Sequence, residues 1–308
     1  MVSSLLNEVE GTLKEAHFKV SFRCDAKQSC FDIATRRDDV VILVRALNNL
    51  GGISEKLGQE LRLVSKFLRA KPLIVSYRTA KRTMDDDAIY IRHDIPAVTP
   101  QTLEDAIARD RHPLVEARPG GFYVRLDGEA IREKRLELGL SLGELASMAK
   151  VSKRTIYGYE MGLAKASVEV AIRLESILGI PIVLQISLFN DVRGEMEQSI
   201  KEEIEDEFAR LTLRTFRRLG LQAAKTNQAP FDFVASMEHR ESIIGKILRN
   251  EEEESEKETR IATSVANVTK SRLLFIAEEK TPRKKVKAIN CEDFEKIRNL
   301  EQLYSFLR

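Results

Sequence analysis

A chain of 308 residues, 43% of them hydrophobic, can bury more than one core, so two or three domains are expected rather than a single globular unit. Lys and Arg number 50 against 48 Asp and Glu, a net charge of +2, which excludes binding of polyanions through an overall basic field; any such surface must come from local clustering. Cys24, Cys30 and Cys291 are odd in number and lack metal-ligand spacing, which argues for reduced thiols and a cytoplasmic setting over a disulfide framework or metal centre. No stretch approaches the roughly 18 to 20 apolar residues of a membrane span. Residues 1–14 mix charged and apolar residues at helical spacing, unlike a signal peptide.

In chain order, residues 5–16 predict a helix, 18–21, 31–35 and 40–47 short strands, 54–68 a second helix and 73–76 another strand, together a small α/β unit. Ser54 is placed to cap the second helix, whose Leu57, Leu61, Val64 and Leu68 line one face. Asp85-Asp86-Asp87 marks an exposed turn. Thr99-Pro100 opens a further helix, with Pro where a missing N–H costs little. Pro119-Gly120-Gly121 reads as a linker.

The most informative stretch is 128–180. A helix ending at Leu138 is stopped by Gly139, with Ile131, Arg135 and Leu138 expected on its inner side. Ser141 caps a second helix and Glu144, three residues on, completes a capping box; Leu145, Ala146 and Met148 supply its apolar surface. Val151 fills a tight turn, and Ser152 caps a third helix so that Lys153, Arg154 and Thr155 occupy its first turn, with Ile156 anchoring it to the core. This is the spacing of a helix-turn-helix, whose third helix enters a major groove by its N-terminal end. Lys153 and Arg154 suit guanine edges or phosphates, Thr155 a thymine methyl, and Tyr157 also faces the groove. Gly158 costs roughly 1 kcal/mol of helix stability against Ala, which a close approach of the DNA backbone would explain. Ser141, Lys150, Ser152 and Lys165 are phosphate candidates. A fourth helix starts at Ser167, is expected to bury Val170, Ile172, Leu174 and Leu178, and ends at Gly179.

On these residues, 128–180 resembles the Cro/CI-type (XRE) repressor domain, a five-helix bundle. The layout of the whole chain, with Thr155-Ile156-Tyr157 and Tyr159-Glu160, resembles an archaeal family of HTH-type transcriptional regulatory proteins that carries this domain in mid-chain. The resemblance implies that Arg135 pairs with Glu160, and it departs from the family at Leu142, where Gln is usual, and at Lys150, where Gly is usual. Lys150 must then adopt a left-handed conformation, at about 1 kcal/mol.

The last third repeats the first: Phe231-Asp232 matches Phe31-Asp32, Lys246 matches Arg45, and residues 272–276 match 72–76, all at offsets near 200. Residues 196–219 predict a long helix leading into this second α/β unit, and the acidic run 251–254 starts its matching helix. The order helix, three strands, helix, strand, with Asp before an apolar strand carrying a basic residue, resembles the restriction-endonuclease-like core. Active members need a second carboxylate two residues before the strand Lys, to hold a water-activating metal; here Leu43 and Ile244 stand there, and Arg45 is a poor proton acceptor. An acid displaced to Glu55, Glu60 or Glu241 could restore the site; otherwise Asp32 and Asp232 serve turns and the units act as platforms. Arg283-Lys284-Lys285 with Lys287 is a basic run suited to phosphates or to a solvated loop, and His17, His93, His112 and His239 are too scattered for a triad or a metal.

The expected architecture is therefore multidomain, α/β plus all-α. A nuclease-like, inactive unit at 1–115 and a linker at 116–127 precede the central five-helix bundle at 128–186, and a second inactive unit with its leading helix fills 187–308, the two α/β units being a duplication. The expected function is a sequence-specific DNA-binding transcriptional regulator and not an enzyme. It needs no cofactor and no metal, and it touches no membrane. Its partners are double-stranded DNA, a second copy of itself and the transcription machinery. The alternatives are a metal-dependent nuclease or repair factor targeted by the helix-turn-helix, and a protein-binding adaptor.

Overall fold

The computed structural model describes residues 2–25, 29–189, 206–237, 241–248, 253–277 and 288–307. The N-terminal segment runs α1 (Val2–Glu15), β1 (Lys19–Val20), β2 (Ile33–Arg37), β3 (Val40–Leu47), α2 (Glu55–Phe67) and β4 (Lys71–Ser76), the order its patterning predicts. Its sheet has the strand order β1-β2-β3-β4. Ser54 Oγ accepts the Leu57 N–H at 3.2 Å as the cap of α2, which buries Leu57, Leu61 and Val64.

Residues beyond β4 hold β5 (Ala88–Arg92), β6 (Ile95–Val98), α3 (Pro100–Ala108), β7 (Val115–Arg118), β8 (Gly121–Leu126), α4 (Gly128–Glu137), α5 (Leu142–Ala149), α6 (Lys153–Glu160), β9 (Ala166–Ser167), α7 (Val168–Leu178) and β10 (Val183–Leu184). Three expectations fail here. The stretch 116–127 is not a linker: β7 and β8 form an antiparallel hairpin whose turn is Pro119-Gly120, and Gly120 adopts φ +98, open to glycine but strained for other residues. On its other edge β8 pairs with β9 and β10 and sends Val124 and Leu126 into the core of the helices that follow. Four helices, α4 to α7, pack on that core, and where a fifth would follow the chain forms the short strand β10. Leu138 and Ile172, expected inside, are 46% and 59% exposed; Ala171, Leu174 and Leu178 make the inner face of α7 instead.

The C-terminal segment holds α8 (Glu207–Arg218), β11 (Gln222–Lys225), β12 (Phe233–Ser236), β13 (Ile243–Leu248), α9 (Glu253–Thr269), β14 (Arg272–Ala277), β15 (Ile289–Asn290), α10 (Cys291–Lys296) and α11 (Leu300–Tyr304). Its sheet order is β11-β12-β13-β14-β15, antiparallel up to β13 and parallel after it. Asp206 caps α8, so the described part of the expected long helix is its second half; residues 196–205, the basic run 283–287, His239 and the start of the acidic run at 251–252 lie outside the described residues.

The chain divides into two compact units. One comprises Met1–Val75, His93–Ile95 and Asp191–Arg308, the other Ser76–Arg92 and Pro96–Asn190, so the first unit takes in both the N-terminal and the C-terminal α/β segment. Within it the two segments match closely. Ile33 faces Val44 across the first hairpin and Phe233 faces Gly245 across the second, the same register at offsets of 200 and 201. Packing is reciprocal: α2 lies on β12 and α9 lies on β2, with Phe31 and Phe231 meeting at 6.4 Å between centroids. The carbonyls that end the two helices are also bound across the pair, Phe67 by the Ser242 hydroxyl and Val268 by Arg36 Nε at 2.8 Å. None of the three cysteines forms a disulfide, and burial pushes the Cys24 and Cys30 thiols well up, keeping them protonated. No helix among the described residues is long and apolar enough to cross a membrane.

Candidate nucleic-acid interface

The helix-turn-helix is built by its caps. Ser141 Oγ accepts the Glu144 N–H at 3.2 Å while Glu144 Oε2 accepts the Ser141 N–H at 2.8 Å, a complete capping box that holds the Glu144 carboxyl below its usual value. Lys150 ends α5 at φ 56, ψ 43, the left-handed geometry its position demands, and the Val151 N–H closes the turn on the Ala146 carbonyl at 3.0 Å. Arg173 Nη1 donates to the Ala149 carbonyl at 2.6 Å, so a side chain from α7 satisfies the end of α5. Nothing in the spacing of α7 singles Arg173 out.

Ser152 Oγ accepts the Thr155 N–H at 3.0 Å and lies 2.8 Å from the Thr155 hydroxyl, starting α6. Ile156 and Tyr159 point inward at 0% and 5% exposure, which leaves Lys153, Arg154 and Tyr157 exposed on the other side. No ion pair among the described residues involves Lys153 or Arg154, so the first turn of α6 carries two uncompensated cations where the helix dipole is also positive. That combination favours an anion. Gly158 is half-buried, and among the described residues a Cβ on it would meet only Ala164 Cβ, at 3.5 Å.

The far end of α6 is clamped. Arg135 Nε and Nη2 donate to the two Glu160 oxygens at 2.6 and 3.0 Å, and Arg135 Nη1 donates to the Leu140 carbonyl at 2.9 Å; the two side chains are 8% and 5% exposed. Gly128 opens α4 against the same place: a Cβ there would lie 2.5 Å from the Tyr159 carbonyl oxygen and closer still to that of Glu160. Seven of the nine residues selected by sequence, Ser141, Lys150, Ser152, Lys153, Arg154, Thr155 and Tyr157, lie on α6 or on the caps and turn that lead into it, and Gly158 sits in its middle. Lys165 differs. Its ammonium is paired with the buried Glu116 of β7, which Arg118 also binds. Burial works against that carboxylate, but Lys165 and Arg118 outweigh it and hold Glu116 below its usual value.

In the N-terminal and C-terminal α/β segments the acidic positions do not match expectation. Asp32 accepts Arg45 Nη1 at 2.8 Å and the Ala46 N–H at 2.7 Å; burial raises its carboxyl above the usual value while Arg45 pulls it down. Asp232 accepts the Ile247 N–H at 2.7 Å and lies 3.3 Å from Lys246 Nζ, which also pairs with Glu258 of α9. The second carboxylate therefore comes from Glu258. Glu60 instead accepts the Asn227 and Gln228 N–H groups, Glu241 pairs with Arg272 at 2.5 Å, and Glu55 faces Gln59. A divalent cation does not fit either cluster as arranged: the first offers one carboxylate already bound by a guanidinium, and in the second the Lys246 ammonium, 5% exposed, sits on both acids. No group of three or more His, Cys, Asp or Glu suited to a metal occurs among the described residues.

Comparison with known proteins gives two family matches, a PD-(D/E)XK superfamily domain over residues 2–113 and a helix-turn-helix over residues 131–185. Similar full-length proteins carry the name "Putative HTH-type transcriptional regulatory protein". The one from Natronomonas pharaonis is 33% identical over 99% of this chain and 98% of its own. Those from Archaeoglobus fulgidus and Methanocaldococcus jannaschii are each 32% identical, over 94% and 91% of this chain and 91% and 90% of theirs. A solved structure, the SinR protein/SinI protein complex, is 31% identical over 18% of this chain and 53% of that one, with a TM-score of 0.17.

Proposed function

The chain belongs to the archaeal family of HTH-type transcriptional regulatory proteins, and we propose that it regulates transcription by laying the N-terminal turn of α6 in a DNA major groove. One observation carries the residue assignment: Lys153 and Arg154 are exposed, and unpaired among the described residues, on a helix whose opposite face and C-terminal end are locked by Ile156, Tyr159 and the Arg135–Glu160 pair. Lys153 and Arg154 would read bases or phosphates, and Tyr157, Thr155, Ser152, Ser141 and Lys150 would fix the register on the backbone. Lys165 is assigned to Glu116 rather than to DNA. One such helix reads only a few base pairs, so the acting form is taken to be a homodimer in the cytoplasm, on a two-fold operator. Selection of bound duplexes from a random pool tests this reading: the wild type enriches one motif, and Lys153→Ala/Arg154→Ala enriches none.

The same fold position of Asp32 and Asp232, with one hairpin register, supports a duplication in which the two segments form an internal pair. We read this pair as a scaffold without chemistry, because Arg45 and Lys246 neutralise the acids. Glu258 is the observation that favours the nuclease reading, since it brings a second carboxylate to Asp232. Plasmid nicking by the wild type with Mg²⁺, lost in Asp232→Ala, would establish that reading; intact plasmid at high protein concentration supports the scaffold.

A further inference from the structure

The exposed face of α8 carries a charge pattern that the fold does not require. Arg210, Arg214 and Arg217 lie within a roughly 60° arc of the helix and span about 10 Å along it, all three exposed and none in an ion pair among the described residues. On the inner face of α8, Ala209, Leu213 and Phe216 are buried in the core. The equivalent helix of the N-terminal segment is α1. The Leu221 N–H bonds the Phe216 carbonyl as the Phe18 N–H bonds that of Leu13, and Gly220 and His17 share positive φ, so the helices align at an offset of 203. At that offset Asn7, Gly11 and Lys14 stand where α8 has its three arginines. The scaffold accepts a neutral or glycine residue at two of these sites, so the arginines are not there to hold the helix in place.

We propose that Arg210, Arg214 and Arg217 bind phosphates of duplex DNA, a sequence-independent contact separate from the bases read by α6. It rests on the DNA-binding reading above and adds a second surface to it. Guanidinium groups suit phosphate because their paired N–H groups match two of its oxygens. Over about 10 Å of axis a duplex offers roughly six phosphate charges, enough for all three side chains. An anionic membrane is the less suitable partner: α8 exposes no large apolar side chain to enter a lipid interface. Arg218 is not part of the proposal, since its Nη2 is committed to the Ile297 carbonyl at 2.9 Å and the neighbouring Glu295 carbonyl.

The test is a salt titration of full-length protein on a 40-base-pair random duplex and on the selected motif, comparing the wild type with Arg210→Gln/Arg214→Gln/Arg217→Gln. Every phosphate that the variant leaves unneutralised takes about 0.9 from the slope of log Kobs against log salt, so the variant should be shallower by about 2 to 3, and the wild-type advantage should shrink about 40-fold between 50 and 200 mM salt. Preference for the motif over random duplex should be unchanged, and the melting temperature should not fall. Lys153→Ala/Arg154→Ala should do the converse, losing preference while the arginine-dependent part of the slope stays. An unchanged slope in the triple variant overturns the proposal, as does loss of phosphatidylserine vesicle binding without loss of DNA binding. A wild type with no motif preference overturns the α6 reading alone.

Discussion

Gly158→Ala separates folding from recognition at a single atom. Gly158 lies inside α6, where Gly is about 1 kcal/mol worse than Ala, and the added methyl would meet Ala164 Cβ at an ordinary 3.5 Å. Nothing among the described residues resists the alanine, so the helix-turn-helix should become more stable by about 1 kcal/mol, raising its melting temperature by roughly 4 °C. If the glycine is present because the DNA backbone passes over it, the same methyl enters occupied space in the complex. An extra methyl forced into a packed contact costs about 1 to 3 kcal/mol, a 5- to 150-fold loss of affinity. Thermal melting and fluorescence anisotropy on the selected duplex measure the two effects on one preparation. A variant that is more stable and binds as tightly as the wild type would refute the close approach. One that is less stable would refute the inferred room around Ala164.

Three further outcomes follow from the geometry. Arg135→Ala leaves the Glu160 carboxylate buried without its partner and should destabilise the helix-turn-helix by about 3 to 5 kcal/mol in urea unfolding. Gly128→Ala has no room beside the Tyr159 and Glu160 carbonyls and should cost about 1 to 3 kcal/mol in the same measurement, the opposite sign from Gly158→Ala on the neighbouring helix. Glu116, held below its ordinary carboxyl value of 4.5, contributes stability that is complete above that pH and lost as pH falls through the lower folded-state value. Acid unfolding of Glu116→Gln should therefore be flatter below pH 4.5 than that of the wild type.

The parts of this fold that could be read from sequence were those decided locally. Ser54, Thr99, Ser141, Ser152 and Ser167 each cap the helix they precede, because a short hydroxyl side chain followed by an apolar-periodic run has few other uses. Repetition of Phe-Asp before a strand exposed the matching segments for the same reason: strand register depends on a few residues close in sequence. What was missed depended on partners far away. Pro119-Gly120-Gly121 has a linker's composition, and the sheet partners of β8 turn it into a hairpin; the alternation in Val115-Glu116-Ala117-Arg118 and Val124-Arg125-Leu126 was its local cue. Leu138 and Ile172 satisfied helical periodicity but lie beyond the edge of the small core, where no element among the described residues covers them. Glu258 reaches Lys246 from a helix twelve residues downstream, a distance with no spacing rule, and Lys165 reads as a free loop cation until Glu116 is placed beside it.

Lys153 and Arg154, in the first turn of α6, are the residues proposed to read DNA. Genome-wide footprinting of the wild type beside Lys153→Ala/Arg154→Ala tests this assignment most directly, with circular dichroism and melting to confirm that both are folded. Discrete wild-type footprints sharing one motif are expected, together with their disappearance in the variant at equal stability. Identical footprints in the two proteins would contradict the assignment.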